Sequence, residues 1–77
     1  MTVFEQVKDI IVSELNVKEA QVTPEAKLKE DLGADSIDAV QIIMEIEDTF
    51  GITIDEDDAQ EMLTVQSVVD YIESKKK

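Results

Sequence analysis

The chain has 77 residues, a formal net charge of −12, no cysteine and no histidine. Disulfides, thiolate metal sites and a Ser-His-Asp triad therefore cannot be built from it. So acidic a surface repels nucleic acid and anionic lipid, and the apolar runs are too short to span a membrane, so we expect neither nucleic acid nor a membrane span.

The first part of the chain predicts a helix followed by a long loop. Apolar residues at spacings of three and four predict a first helix over residues 3–15, preceded by a possible capping box of Thr2 and Glu5. Residues 17–35 contain the only proline and have weak periodicity, which predicts an ordered loop. A loop of this length in a small domain is usually functional. Three apolar residues are expected to hold it to the core: Val22, Leu28 and Leu32.

Three further helices complete the predicted fold. The second begins at Asp35 and Ser36 and runs to Phe50, where a glycine ends it; a short third covers about residues 55–62, and Thr64 caps the fourth. The fold class is therefore all-α, a small bundle of three main helices plus one short helix, with a long loop after the first helix. We expect a single domain over residues 1–77, a monomer and, because no export signal is present, a cytoplasmic location.

The second helix has apolar residues on two opposite faces. The face expected to enter the core carries Ala39, Ile42, Ile43, Ile46 and Phe50. The opposite stripe carries Ile37, Val40 and Met44, surrounded by Asp38, Gln41, Glu45, Glu47 and Asp48. Either the first helix or the long loop covers this stripe, or it is a docking surface with apolar anchors inside an acidic rim.

Ser36 opens this helix and allows two interpretations. Serine is a common N-terminal cap, and most serines at this position do only that. However, Asp35 could cap the helix equally well, which would leave the Ser36 hydroxyl available. A phosphate on that hydroxyl would be stabilised by free backbone N–H groups and by the helix dipole.

The segment 32–38, LGADSID, resembles the 4′-phosphopantetheine attachment motif of acyl carrier proteins. Length, acidity, the long first loop, the helix order and the turn after Phe50 resemble that family over the whole chain. The resemblance implies that a phosphopantetheinyl transferase attaches 4′-phosphopantetheine from coenzyme A to Ser36. The terminal thiol of that arm would hold acyl thioester cargo, so the chain would be a carrier of dissociated fatty acid synthesis and not an enzyme.

The same resemblance implies roles for further residues. Asp35 and Asp38 match the acids beside the serine in the motif. Docking to fatty acid synthesis enzymes with basic patches would involve Ile37, Val40, Gln41, Met44, Glu47 and Asp48. A pocket that shelters the acyl chain would be lined by Leu28, Ile46, Phe50, Ile54, Ala59, Met62 and Val68. Ile37 replaces the leucine that is commoner in the family, a mild change in an apolar contact. Gln41 and Glu45 also depart from the commoner residues, which would change the choice of partner and not the attachment.

Two alternatives remain, one within the class of carriers and one from a different class of function. A polyketide carrier shares the motif, and Asp38 disfavours it. A non-covalent acidic adaptor or divalent-cation-binding protein would use the acidic run 55–58, but an EF-hand loop beginning at Asp55 would have Gln60 where glycine is required. No carboxylate pair stands out as catalytic, so we expect no catalytic residue and no metal site.

Overall fold

The computed structural model describes residues 2–76, and this part of the chain folds as four α-helices. They are α1 (Val3–Leu15), α2 (Ser36–Phe50), α3 (Glu56–Glu61) and α4 (Val65–Lys76). The loop over residues 17–35, called the first loop below, contains one 3-10 turn, Glu19–Gln21. The predicted all-α fold class, with three main helices, one short helix and a long loop after the first, is confirmed.

Local signals in the sequence fix the helix ends. The Thr2 hydroxyl accepts a hydrogen bond from the Glu5 N–H at 3.1 Å, and the Glu5 carboxylate accepts one from the Thr2 N–H at 3.1 Å, so the predicted capping box is confirmed. Gly51 ends α2 with φ of 67°, in the left-handed region that favours glycine. The Thr64 hydroxyl accepts from the Ser67 N–H at 3.1 Å and caps α4 as expected.

The core lies between α1, α2 and α4, because α1 packs against both other long helices. The buried apolar residues are Val7, Ile11, Val22, Ala26, Leu28, Leu32, Ala34, Ile42, Ile46, Ile54, Met62, Val65, Val68, Val69 and Ile72. Three of them are the predicted anchors of the first loop. None of the helices in the described residues combines the length and apolar character that crossing a membrane requires.

The first loop pairs with the connection between α3 and α4, which the sequence did not predict. Leu28 N–H donates to the Leu63 carbonyl at 3.0 Å, and Val65 N–H donates to the Ala26 carbonyl at 3.0 Å. These bonds flank an isolated antiparallel bridge between Lys27 and Thr64. The pairing satisfies backbone groups that burial of the loop would otherwise leave without partners, and it holds the loop beside the start of α2.

Candidate functional site

The start of α2 is capped by Asp35 and not by Ser36. The Asp35 carboxylate accepts a hydrogen bond from the Asp38 N–H at 2.8 Å, and the Asp38 carboxylate accepts one from the Asp35 N–H at 3.4 Å. This reciprocal pair satisfies backbone donors that the first helical turn cannot satisfy itself. Ser36 is the first helical residue and has no part in the cap.

The Ser36 side chain is exposed, and its hydroxyl makes no hydrogen bond within residues 2–76. A primary alcohol that caps nothing can be esterified without loss of a structural contact. The first turn of α2 also places the positive end of the helix dipole beside it, which favours a phosphodiester anion. The residues present therefore fit a phosphate-linked group at this position.

The first loop reaches Ser36 through a fixed turn. Gly33 has φ of 73°, so a residue with a β-carbon would be strained at this position. Ala34, directly after it, is buried, and its N–H donates to the Leu28 carbonyl at 2.9 Å. The turn brings the chain from the buried loop to the exposed serine within three residues, which explains the Gly-Ala-Asp-Ser order in physical terms.

The apolar stripe on the outer face of α2 faces solvent. Ile37, Val40 and Met44 are 72%, 54% and 53% exposed, and these three residues are called the exposed stripe below. On the opposite face Ile42 and Ile46 are almost completely buried. The alternative that α1 or the first loop covers this stripe is therefore wrong for the described residues.

The polar residues around the exposed stripe differ in solvent exposure and in hydrogen bonding. Gln41, Glu45 and Asp48 are exposed. Asp38 is half-buried and engaged in the cap of α2. Glu47 is also half-buried, and its carboxylate accepts a hydrogen bond from the Ile54 N–H at 2.8 Å. The carboxylates of Asp38 and Glu47 therefore hold backbone as well as contributing charge to this side of the molecule.

A cavity of about 540 Å³ lies beside Ser36, between α2, α3 and the first loop. Three of the seven residues expected in an acyl pocket line it, namely Leu28, Ala59 and Met62. The other four lie elsewhere: Ile46 and Val68 are fully buried in the core, Ile54 is buried, and Phe50 packs against the core.

Several cavity-lining residues were not singled out as pocket residues from the sequence. On the α2 side they are Ser36, Ala39, Val40 and Ile43, and on the other sides Lys27, Lys29, Glu30, Glu56, Gln60, Leu63 and Thr64. The core-face periodicity of α2 contains the signal for Ala39 and Ile43. The residues from the first loop have no such signal, because only its pairing with the α3–α4 connection brings them here.

Two further features concern electrostatics and metals. The half-buried Tyr71 hydroxyl on α4 donates to the Asp58 carboxylate on α3 at 2.9 Å. Burial raises the pKa of Tyr71, and the hydrogen bond to Asp58 and the negative charges of Asp58 and Asp55 raise it further. Within the described residues, no three carboxylates are grouped so that they could hold a metal ion.

Comparison with known proteins identifies the family. A family model described as "Phosphopantetheine attachment site" matches residues 5–72. Acyl carrier proteins from two strains of Nitratidesulfovibrio vulgaris are each 49% identical over 75 residues, which is 97% of this chain and 99% of theirs. A solved structure of an acyl carrier protein from Enterococcus faecalis is 40% identical, with a TM-score of 0.81 over 96% of this chain and 98% of that one.

The chain therefore belongs to the phosphopantetheine-attachment family and, within it, to the acyl carrier proteins. Its cofactor is covalently attached 4′-phosphopantetheine, and it is a carrier, not an enzyme.

Proposed function

We propose that this chain carries acyl groups in dissociated fatty acid synthesis, with Ser36 as the attachment point of 4′-phosphopantetheine. One observation supports the choice of Ser36 above all: its hydroxyl is exposed and uncommitted at the first turn of α2, because Asp35 caps the helix. When attached, the arm supplies a terminal thiol that holds acyl groups as thioesters. The chain itself binds partner enzymes, presents the arm to them and shelters the acyl cargo.

In the attachment reaction the chain supplies only the hydroxyl that is esterified and a fixed helix start. The Ser36 Oγ attacks the pyrophosphate phosphorus of coenzyme A that carries the pantetheine arm, and its proton passes to a base of the transferase. The bond from that phosphorus to the bridging pyrophosphate oxygen breaks, and 3′,5′-ADP leaves. Asp35 holds the helix start fixed during this exchange through its bond from the Asp38 N–H. The dipole at the start of α2 then stabilises the phosphodiester charge.

Partner enzymes dock, in this proposal, on the outer face of α2. Ile37, Val40 and Met44 offer apolar contact, and the thioether chain of Met44 adapts to surfaces of different shape. Gln41 and Asp48 lie exposed on the same helix, and Glu47 adds charge while it also holds the Ile54 N–H. No basic residue occurs between residues 30 and 74, so a basic patch on a partner is steered toward this side.

The cavity beside Ser36 supports a sheltering role toward the cargo. Its walls include Leu28, Ala59 and Met62, and an acyl chain on an arm from Ser36 would reach it without crossing the core. Apolar walls stabilise an alkyl chain by about 0.8 kcal/mol for each CH₂ group removed from water. The cytoplasmic location expected from the sequence is part of the same proposal, and fractionation of the source cells tests it.

Intact-mass spectrometry tests the attachment site. The chain is incubated with coenzyme A and a broad-specificity phosphopantetheinyl transferase, beside Ser36→Ala and the matched control Ser13→Ala on the exposed surface of α1. We expect one added phosphopantetheine on the parent chain and on Ser13→Ala, and none on Ser36→Ala. Addition to Ser36→Ala, or none to a folded parent chain with several transferases, would contradict the assignment.

A charge reversal tests the docking face. Asp48→Lys should raise the KM of partner enzymes for the chain, and the effect should shrink at high salt because exposed charges are screened. Glu19→Lys, in the 3-10 turn of the first loop, makes the same change in net charge away from α2. Equal effects of the two variants would mean that only net charge matters.

A further inference from the structure

Leu63 is an exposed apolar side chain on a fixed backbone. It is 61% exposed, although its carbonyl accepts the Leu28 N–H at 3.0 Å and the neighbouring Thr64 forms a bridge with Lys27. Single exposed apolar residues are common and need no explanation. Leu63, however, lines the same cavity as Val40 of the exposed stripe. Apolar surface therefore continues from α2 across the cavity to the connection between α3 and α4.

The far side of this cavity differs from α2 in charge. Lys27, Lys29 and Leu63 line it there, and these three residues are called the loop side of the cavity below. The Lys27 ammonium pairs with the Glu30 carboxylate at 3.3 Å. Lys29 is exposed and has no ion pair within residues 2–76. Lys29 and Leu63 thus line the same cavity, together with the acids Glu30 and Glu56, opposite a helix that carries no basic residue.

Ser36 lines this cavity as well, and this restricts how an enzyme can approach it. An active site that reaches the Ser36 Oγ must come within contact distance of the cavity mouth. The docking face on α2 covers only one side of that mouth. We therefore expect an enzyme that reaches the serine to contact the loop side of the cavity as well. Its affinity would then depend on charge complementarity and apolar contact with that side.

On the basis of the proposed carrier function, we propose that the phosphopantetheinyl transferase straddles this cavity and docks on both sides of it. Its basic surface contacts α2, while a carboxylate contacts Lys29 and an apolar side chain contacts Leu63. The complementary partner surface thus carries basic groups on one side of the cavity and an acidic group on the other. Such an arrangement fixes the orientation of the serine in a way that a uniformly basic partner surface could not, because rotation would bring like charges together.

Lys29→Glu provides a test in which two models predict opposite signs. If attraction of an acidic carrier to a basic enzyme were the only effect, added negative charge would lower the KM of the transferase for the chain or leave it unchanged. If Lys29 contacts a carboxylate, the KM rises, by about two- to fivefold for an exposed pair, with kcat unchanged. Lys18→Glu, before the 3-10 turn, makes the same change in net charge and should not raise the KM.

Leu63→Ser tests the apolar contact independently of charge. Because the side chain is exposed and the pairing uses only its backbone, we expect an unchanged melting temperature and a KM raised by about fivefold. A KM that is unchanged or lowered by Lys29→Glu, or raised equally by Lys18→Glu, would overturn the proposal. So would a Leu63→Ser variant with the parent KM but faster hydrolysis of a loaded acyl thioester, since Leu63 would then cover cargo.

These outcomes are distinct from failure of the carrier function. If the parent chain and every variant accept phosphopantetheine at the same rate, the carrier function stands and only the two-sided docking is wrong. If the parent chain accepts none, the carrier proposal itself fails.

Discussion

The carboxylate of Glu47, near the end of α2, accepts a hydrogen bond from the backbone N–H of Ile54 at 2.8 Å. Ile54 is buried, and the bond joins α2 to the connection that leads to α3. Glu47 is thus an acid of α2 that also fixes the course of the chain toward α3. The sequence led us to expect Glu47, beside Asp48, among the docking residues, and the structure gives Glu47 this additional hydrogen bond.

The two adjacent acids should therefore respond differently to the same substitution. Glu47→Lys leaves the part-buried Ile54 N–H without its acceptor and should lower the free energy of unfolding by about 1–3 kcal/mol. Asp48→Lys, at an exposed position, should change it by less than about 0.5 kcal/mol. Urea denaturation of both variants measures the difference. Equal stabilities would show that the bond to Ile54 contributes nothing.

Because Asp35 caps α2 and Ser36 does not, alanine substitution at the two positions should change the free energy of unfolding differently. Asp35→Ala removes the acceptor of the Asp38 N–H and should cost about 0.5–2 kcal/mol. Ser36→Ala removes a hydroxyl without a partner and should leave the free energy of unfolding within about 0.5 kcal/mol of the parent. Thermal unfolding monitored by circular dichroism checks both. A larger loss for Ser36→Ala would make the serine a cap after all.

The two faces of α2 should differ in their tolerance of truncation. Ile46 is 0% exposed, so Ile46→Ala leaves a cavity that should cost about 2–5 kcal/mol, and Ile46→Val about 0.5–1.5 kcal/mol. Val40→Ala, on the exposed stripe, should cost nothing, because alanine has the higher helix propensity. Melting temperatures should fall in the order Val40→Ala, Ile46→Val, Ile46→Ala. An unchanged melting temperature for Ile46→Ala would mean that the core face is wrongly assigned.

Tyr71 should make stability depend on alkaline pH. Its pKa is raised above 10.0, first by burial and then by the hydrogen bond to Asp58. Between the unfolded and folded pKa the native chain therefore holds a proton that the unfolded chain has lost, and the stabilisation present below pH 10 is lost as pH rises through the folded value.

The variant Tyr71→Phe isolates this effect from the titration of lysines. It keeps the ring below the Lys75 ammonium, which lies 5.5 Å from the ring centroid, and removes only the hydroxyl. At pH 7 it should be about 0.5–1.5 kcal/mol less stable than the parent. Denaturant titrations from pH 8 to about pH 11 should show this difference shrinking above pH 10. A constant difference would show that the hydroxyl titrates alike in both states.

Local patterns predicted most of the fold. The spacing of apolar residues defined α1 and α2, and the caps Thr2 and Gly51 set their ends, because both signals act within one or two turns of helix. The third helix, expected over about residues 55–62, is Glu56–Glu61, so only its ends moved. Ser36 was singled out as the candidate attachment serine through its neighbours in the motif and through the redundancy of two possible caps.

What the sequence did not predict depends on contacts between distant segments. Burial of Leu28 was expected, but its pairing with Leu63 was not, because the two lie on either side of α2 and α3. The same limitation applies to the expected acyl pocket. Ile46 and Val68 belong to the core interior and not to the cavity wall, since periodicity identifies a buried face but not the neighbour that covers each residue.

The antiparallel bridge between Lys27 and Thr64 also bears on the order in which the molecule folds. Closing a contact across both α2 and α3 costs less chain entropy once α1, α2 and α4 have packed, so we expect the bridge to form after the rate-limiting step. Substitutions that weaken the bridge should then accelerate unfolding and leave the folding rate nearly unchanged. The segment that leads to Ser36 would be the last to order during folding and the first to open, which makes the presentation of the serine a late event.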